Sequence, residues 1–373
     1  MADPFKTLDT APGSDTANQP SPISQKTYPV AGILTTVFGL EELPSQATEV
    51  SCLWLLHPRL AAQERMTGIA TAAITDWNNR IRAGHNESSQ PLKGLIAVAF
   101  DQRNHGTRLV DPLGNEAWKQ GNPRHAQDMF SIFQGTARDV SLLIDYLPSF
   151  VFPNSERKIV ENLVLGVSLG GHAAWSCILH EPRVNTGVVI IGCPDYVNLM
   201  ADRARLSKLP AWTSSDPPGS RFLGSEAFPS TLLDTVRNYD PASLFLSHMD
   251  TKTDVEPLRN GPLAEPTEEE KQALRPLLIR CLAGKRVLNL SGGRDKLVPY
   301  HRGEAFLTWL KQAISPNGWF SDGAVTFEDV IDESAAHEVT PKMVGEAVRF
   351  ISDTLAVSGD YSKKSGSVRE SRI

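Results

Sequence analysis

The residues that most restrict the fold lie at 162–179, NLVLGVSLGGHAAWSCIL. An apolar run, Leu163, Val164 and Leu165, stops at Gly166-Val167-Ser168-Leu169-Gly170-Gly171. A stretch of small and apolar residues, 173–179, follows directly. This order reads as strand, tight turn and helix, with Ser168 at the apex. A serine held there needs a strained backbone, so the positions two before and two after it must lack bulk, and both are glycine. The pattern is G-x-S-x-G, which lifts a serine hydroxyl above the end of a sheet. Five residues alone carry little weight, because average Gly and Ser usage produces them by chance in roughly one chain in seven of this length. The strand before them and the helix after them give the pattern its meaning.

The rest of the chain repeats that alternation. Residues 28–40 and 50–56 read as early strands, and 95–100 (LIAVAF) as a strand covered on both faces. Ala137, Val140, Leu143, Ile144 and Leu147 fall at helical spacing and predict a helix over 135–147. Beyond the serine turn, 187–191 is a further buried strand. Residues 286–290 and 324–330 are strands, and 302–313 and 341–355 are helices. Thr340 can cap the last helix and Pro341 suits its first position. Strands separated by helices predict an α/β fold with a mostly parallel, doubly wound sheet. The expected domain is 28–357. Within it, 196–284 breaks the alternation and reads as a cap-like insertion between the sixth and seventh strands, above the edge where such sheets bind ligands. Residues 1–27 read as a disordered N-terminal segment and 358–373 as a flexible tail.

Charge and cysteine content narrow the function. Among 373 residues the formal net charge is −6, with no basic stripe, which argues against nucleic acid or an anionic membrane as partner. No apolar run approaches the ~20 residues needed to span a bilayer. No apolar h-region marks a secretory signal. Cys52, Cys177, Cys193 and Cys281 form no C-x-x-C pair and read as buried free thiols of a reducing compartment. The expected location is cytoplasmic; the weaker alternative is peroxisomal, from Ser371-Arg372-Ile373, which departs from S-K-L at its last residue. His337-Glu338 has Pro341 where H-E-x-x-H needs a second histidine, so no zinc motif is present. GVSLGG fits neither the dinucleotide nor the P-loop glycine pattern.

A serine hydroxyl becomes a nucleophile only when a base takes its proton, and the base needs a carboxylate to hold its tautomer. On a sheet of this kind the partners follow in the order serine, acid, histidine, each just after a strand. The strand ending at Leu290 runs into Ser291-Gly292-Gly293-Arg294-Asp295. The strand ending near Val330 runs into Asp332 and on to His337. Ser168 is therefore the candidate nucleophile, His337 the candidate base and Asp295 the candidate acid, with Asp195 in GCPDY as the runner-up acid. His172, next to the turn, reads as lying on the exposed side of its helix. An anionic intermediate also needs backbone donors. The N–H of Leu169 is one candidate. The loop after 50–56 supplies the other; Pro58 has no N–H, which leaves Arg59 and, behind it, Leu60.

GVSLGG, DQRNHG at 101–106, GGRDKLVP at 292–299 and the late His337 together resemble the α/β-hydrolase superfamily over about residues 30–356. DQRNHG is similar to the family's D-x-R-G-H-G turn after the fourth strand, with Asn104 in place of the usual glycine. Pro58 departs from the family's usual His-Gly after the third strand. The resemblance implies acyl transfer through a serine ester, with no cofactor and no metal. The expected function is a serine hydrolase acting on a small to medium, partly apolar carboxylic ester or thioester, its partner a small-molecule ester. An acyltransferase using the same three residues and a non-catalytic binding module on the same fold are the alternatives. Trp212, Phe222, Phe228, Leu232, Leu233, Leu244 and Phe245 are candidates to wall an acyl pocket. Arg59 and Arg108 are candidates to contact an acidic substrate.

Overall fold

The computed structural model describes residues 3–9, 22–84, 92–249 and 258–357. Eight strands form one sheet: β1 (Gln25–Val30), β2 (Ile33–Phe38), β3 (Glu49–Leu56), β4 (Lys93–Phe100), β5 (Lys158–Val167), β6 (Val184–Ile190), β7 (Arg286–Gly292) and β8 (Thr326–Asp332). Their order is β1-β2-β4-β3-β5-β6-β7-β8. The hairpin β1–β2 and the pair β2–β4 are antiparallel, and every later pairing is parallel. The expected mostly parallel α/β sheet is what forms.

Strand β3 shows why an unbroken apolar run becomes a central strand. Val50, Cys52, Trp54 and Leu56 join the core on one face, and Leu53 and Leu55 join the core on the other. Side chains alternate along a strand, so a segment covered twice needs apolar residues at every position. The first face carries α3 (His125–Val151), α4 (Leu169–His180), α9 (Glu268–Leu282) and α10 (Glu304–Ile314). The second carries α2 (Thr67–Arg82) and α11 (Pro341–Val357). Helix α3 begins well before the expected 135–147, because Ala126, Met129, Phe130 and Phe133 extend its buried stripe.

The stretch 196–284 separates into two parts. Helices α5 (Tyr196–Leu206), α6 (Pro210–Thr213), α7 (Ser230–Tyr239) and α8 (Pro241–Leu246) form its irregular portion. The remainder, α9, is an ordinary crossover helix into β7. It starts on a capping box, in which Thr267 and Glu270 satisfy each other's backbone N–H, and buries Leu274, Leu278, Cys281 and Leu282.

The N-terminal reading needs a correction. Residues 3–9 hold the short α1 (Lys6–Asp9), and residues 22–27 lead into and open β1. Phe5 is 4% exposed, within the core cluster that contains Met66, Val339 and Met343. Arg65 lies 5.1 Å over the Phe5 ring and donates to Asp3 (2.6 Å) and Asp9 (2.9 Å). The amide of Val339 donates to the carbonyl of Pro4 at 2.8 Å, and the Thr7 hydroxyl donates to the Glu338 carboxylate. The polar composition of 1–27 hides this one aromatic anchor. Residues 10–21 and the tail 358–373, with its Ser371-Arg372-Ile373 terminus, lie outside the described residues.

Candidate active site

Between β5 and α4 the chain turns in one residue. Ser168 has φ 55° and ψ −111°, a conformation that a side-chain-bearing residue adopts only under constraint. A Cβ on Gly166 would lie 1.9 Å from the carbonyl oxygen of Gly170, and one on Gly170 would lie 2.0 Å from that of Leu56. Both flanking glycines are thus obligatory. The Ser168 N–H donates to Ile190 O (2.9 Å), and Ser168 O accepts from the His172 N–H (3.1 Å).

The two downstream loops come to the same edge. His337 Nε2 lies 2.9 Å from Ser168 Oγ, and His337 Nδ1 lies 2.7 Å from an Asp295 carboxylate oxygen. A carboxylate only accepts, so Nδ1 carries the proton and Nε2 offers its lone pair to the serine hydroxyl. The other Asp295 oxygen accepts from the amides of Leu297 (2.8 Å) and Val298 (2.9 Å). Burial pushes the Asp295 carboxyl up, but the hydrogen bond from His337, its charge and the two amides outweigh that and hold it below the usual carboxylate value. The loops are also joined to each other. Gly293 N donates to Asp332 O and Arg294 N to Ala335 O, both at 2.9 Å. A Cβ on Gly292 would lie 2.4 Å from Ala336 O. Behind them Asp332 accepts from Thr340 Oγ1 (2.8 Å), and that oxygen caps α11 at Met343 N (3.2 Å).

Of the two oxyanion candidates, Leu169 is the first residue of α4, where an N–H has no acceptor within the helix. The near contact of Gly170 with the carbonyls of Leu56 and His57 sets the loop carrying Arg59 against that first turn. His57 braces this loop. Its Nε2 accepts from Gln102 N (2.9 Å) and its Nδ1 donates to Pro58 O (2.8 Å). Burial lowers its pKa to about 4, so it stays neutral. Next to it, Asp101 receives Gln63 N, Thr107 N and Thr107 Oγ1. Asn104, where glycine is usual, has φ 59°, and its amide group bonds Val110 N, Asp111 N, Asp111 O and Asn115 Oδ1. Asparagine tolerates the left-handed region better than most residues, which explains the exchange.

Several expectations meet a different arrangement. His172 is buried, not exposed: its Nδ1 donates to Ser168 O at 2.8 Å, and burial lowers its pKa to about 3. Arg108 is bound to Asp139 (2.8 Å) and Asp101 O (3.0 Å) beside the bidentate pair of Arg103 and Asp139, which makes it part of the turn. Asp195, the runner-up acid, caps α5 at Asn198 N (3.0 Å) and is ion-paired with Arg259. Phe245 stacks on Phe306 at 6.1 Å, and Phe222 and Phe228 pack on Trp118, Trp212 and Tyr196. These rings belong to the core cluster. Arg203, on α5, escaped the sequence reading because a charged residue on a helix reads as a solvated one. Its guanidinium reaches His125 Nε2 (3.3 Å), Met129 Sδ (3.1 Å) and Leu297 O (3.1 Å).

Among the described residues no group of three or more His, Cys, Asp or Glu is placed to hold a metal ion, and no helix is long and apolar enough to cross a membrane. No protein-family model and no curated protein matches the chain. Among solved structures it is similar to a Thermus thermophilus protein at 17% identity and TM-score 0.49, over 89% of this chain and 98% of that one. It is similar to a Pyrococcus horikoshii acylaminoacyl peptidase at 10% identity and TM-score 0.46, over 93% of this chain but only 43% of the peptidase. Acetyl xylan esterase 1 from Thermoanaerobacterium sp. JW/SL YS485 follows at 16% identity and TM-score 0.44, over 91% and 86%. The strand order, the one-residue serine turn and the two later loops at neighbouring strand ends give this chain the α/β-hydrolase fold.

Proposed function

We propose that the protein is a serine hydrolase of a carboxylic ester or thioester, working through an acyl-enzyme with Ser168, His337 and Asp295. The observation that carries this is the unbroken chain from Ser168 Oγ through the His337 ring to Asp295, at 2.9 and 2.7 Å. Ser168 Oγ attacks the carbonyl carbon while its proton passes to His337 Nε2. The carbonyl oxygen takes the negative charge, facing the N–H of Leu169 and that of Arg59. The C–O or C–S bond then breaks, and the leaving group takes the proton from Nε2. A water molecule repeats the sequence: it loses a proton to Nε2, attacks the acyl carbon, and Ser168 leaves with that proton. Asp295 stays ionised throughout, steadying the imidazolium that forms twice.

Helices α5–α8 serve in this reading as a cap over the C-terminal edge, excluding bulk water and strengthening each of these electrostatic contacts. A fluorophosphonate probe tests the assignment. Wild type should be labelled and Ser168→Ala should not; equal labelling of the two would reject it.

A further inference from the structure

Arg203 is the least satisfied cation beside the catalytic loops. Its Nε is buried with no hydrogen-bond partner. Its remaining contacts are a histidine nitrogen, a thioether sulfur and one carbonyl, and among the described residues no carboxylate lies within ion-pairing distance. Other shielded arginines in the molecule do better: Arg183 has Glu181 and Arg259 has Asp195. Taking a guanidinium out of water without an anion is costly, and neutral acceptors recover little of the loss.

A second guanidinium makes the arrangement costlier. Arg59, largely buried on the loop after β3, donates to Asn115 O (2.8 Å) and feels the charge of Arg203 more strongly than the opposing one of Glu116. Burial, followed by that repulsion, lowers its pKa to about 10. The position of the pair is informative. Arg203 bonds the carbonyl of Leu297, whose own amide holds Asp295. The ring of His172, bonded to Ser168 O, feels both Arg203 and His337. A buried guanidinium with one N–H unpartnered and only neutral acceptors, set against the loop that holds Asp295, gains most from a ligand that carries negative charge.

We infer that the substrate bears an anionic group of carboxylate size, which Arg203 and Arg59 hold beside Ser168. This rests on the hydrolase reading above and adds the substrate class to it. A structural arginine that merely ties α5 to α3 and to the Leu297 loop would have no stake in substrate charge.

The test compares esters with and without a carboxylate in two arms. On the acyl side, p-nitrophenyl hemisuccinate is set against p-nitrophenyl butyrate; on the leaving-group side, 4-carboxyphenyl butyrate against phenyl butyrate. In at least one arm wild type should favour the anion in kcat/KM, and Arg203→Met should lower that anionic-to-neutral ratio roughly ten- to a hundredfold. Arg203→Lys should fall between, since it keeps the charge and loses the fork. Arg59→Met, an independent variant, should lower the same ratio. A neutral preference of wild type in both arms, or a ratio that neither Met variant moves, overturns the anion site. Absence of Ser168 labelling together with no turnover of any of the four esters overturns the hydrolase reading instead.

Discussion

Gly170 and Leu56 approach so closely that a Cβ on residue 170 would lie 2.0 Å from the Leu56 carbonyl oxygen. That contact seats the first turn of α4 against the end of β3, and it sets the hydroxyl of Ser168 where His337 can reach it. Gly170→Ala should therefore push the turn away from β3. The expected result is near-complete loss of fluorophosphonate labelling with a fall in Tm, because the intruding carbon meets backbone and no side chain can swing aside. Labelling at the wild-type rate would contradict this.

Asn104 combines a left-handed backbone with a side chain that ties down residues 110–115. Asn104→Gly keeps the conformation and loses the amide's hydrogen bonds, at about 1 kcal/mol each. Asn104→Ala loses those bonds and adds about 1–2 kcal/mol of backbone strain. Denaturant unfolding should rank wild type above the glycine variant and the glycine variant above the alanine one. The reverse order of the two variants would show that the side chain, and not φ, chose asparagine.

The buried histidines make stability fall in mild acid. His57 and His180 have their pKa lowered to about 4 and His172 to about 3, and His125 lies well below its ordinary value, in each case mainly by burial. Between about 4 and the ordinary 6.5 the unfolded chain binds protons there that the folded chain does not. Each group thus removes up to about 1.4 kcal/mol of stability per pH unit as the pH drops. Asp240, raised to about 7 by burial and by Asp195, works in the opposite sense over much of that range. His105 and His301 are lowered by burial as well, so the histidines outweigh the one aspartate and leave a net loss. Tm should fall steadily from pH 7 to 4.5, and His180→Gln should flatten the slope by about one proton's worth. A flat profile would refute the assignment.

Residues 3–9 grip the two residues that follow His337: Pro4 holds Val339, and Thr7 holds Glu338, whose other oxygen accepts from Ala336 N at 3.1 Å. Phe5→Ala removes the anchor of that grip. Truncating a core phenylalanine costs about 3–5 kcal/mol, but a terminal segment can peel away and lose less. The expected signature is a small drop in Tm with kcat lowered by roughly tenfold or less and KM nearly unchanged. A fall in KM-dependent terms alone would place the segment's influence elsewhere.

What was legible in the sequence was whatever depended on local pattern. The glycines around Ser168, the apolar strands and the post-strand positions of Asp295 and His337 follow from short-range chemistry, and the three side chains do lie within hydrogen-bond distance. What was hidden depended on partners far along the chain. Arg108 looks like a free surface cation until Asp139 is brought beside it from 31 residues away. His172 reads as exposed because helices usually keep one wet face, whereas every residue of α4 from Leu169 to Leu179 is buried. Helix α2 carries threonines and asparagines among its apolar residues, so its stripe, Ile69, Ala70, Ala73, Ile74 and Trp77, is visible only once the sheet lies against it.

The grip of residues 3–9 on the histidine loop joins the earliest-translated part of the described chain to one of the last. On the ribosome Pro4 emerges more than three hundred residues ahead of Val339, and its carbonyl has to wait for that amide to be made. Assembly of this edge therefore closes as a ring, and a chain that stops short of residue 337 lacks the imidazole that lies against Ser168 Oγ.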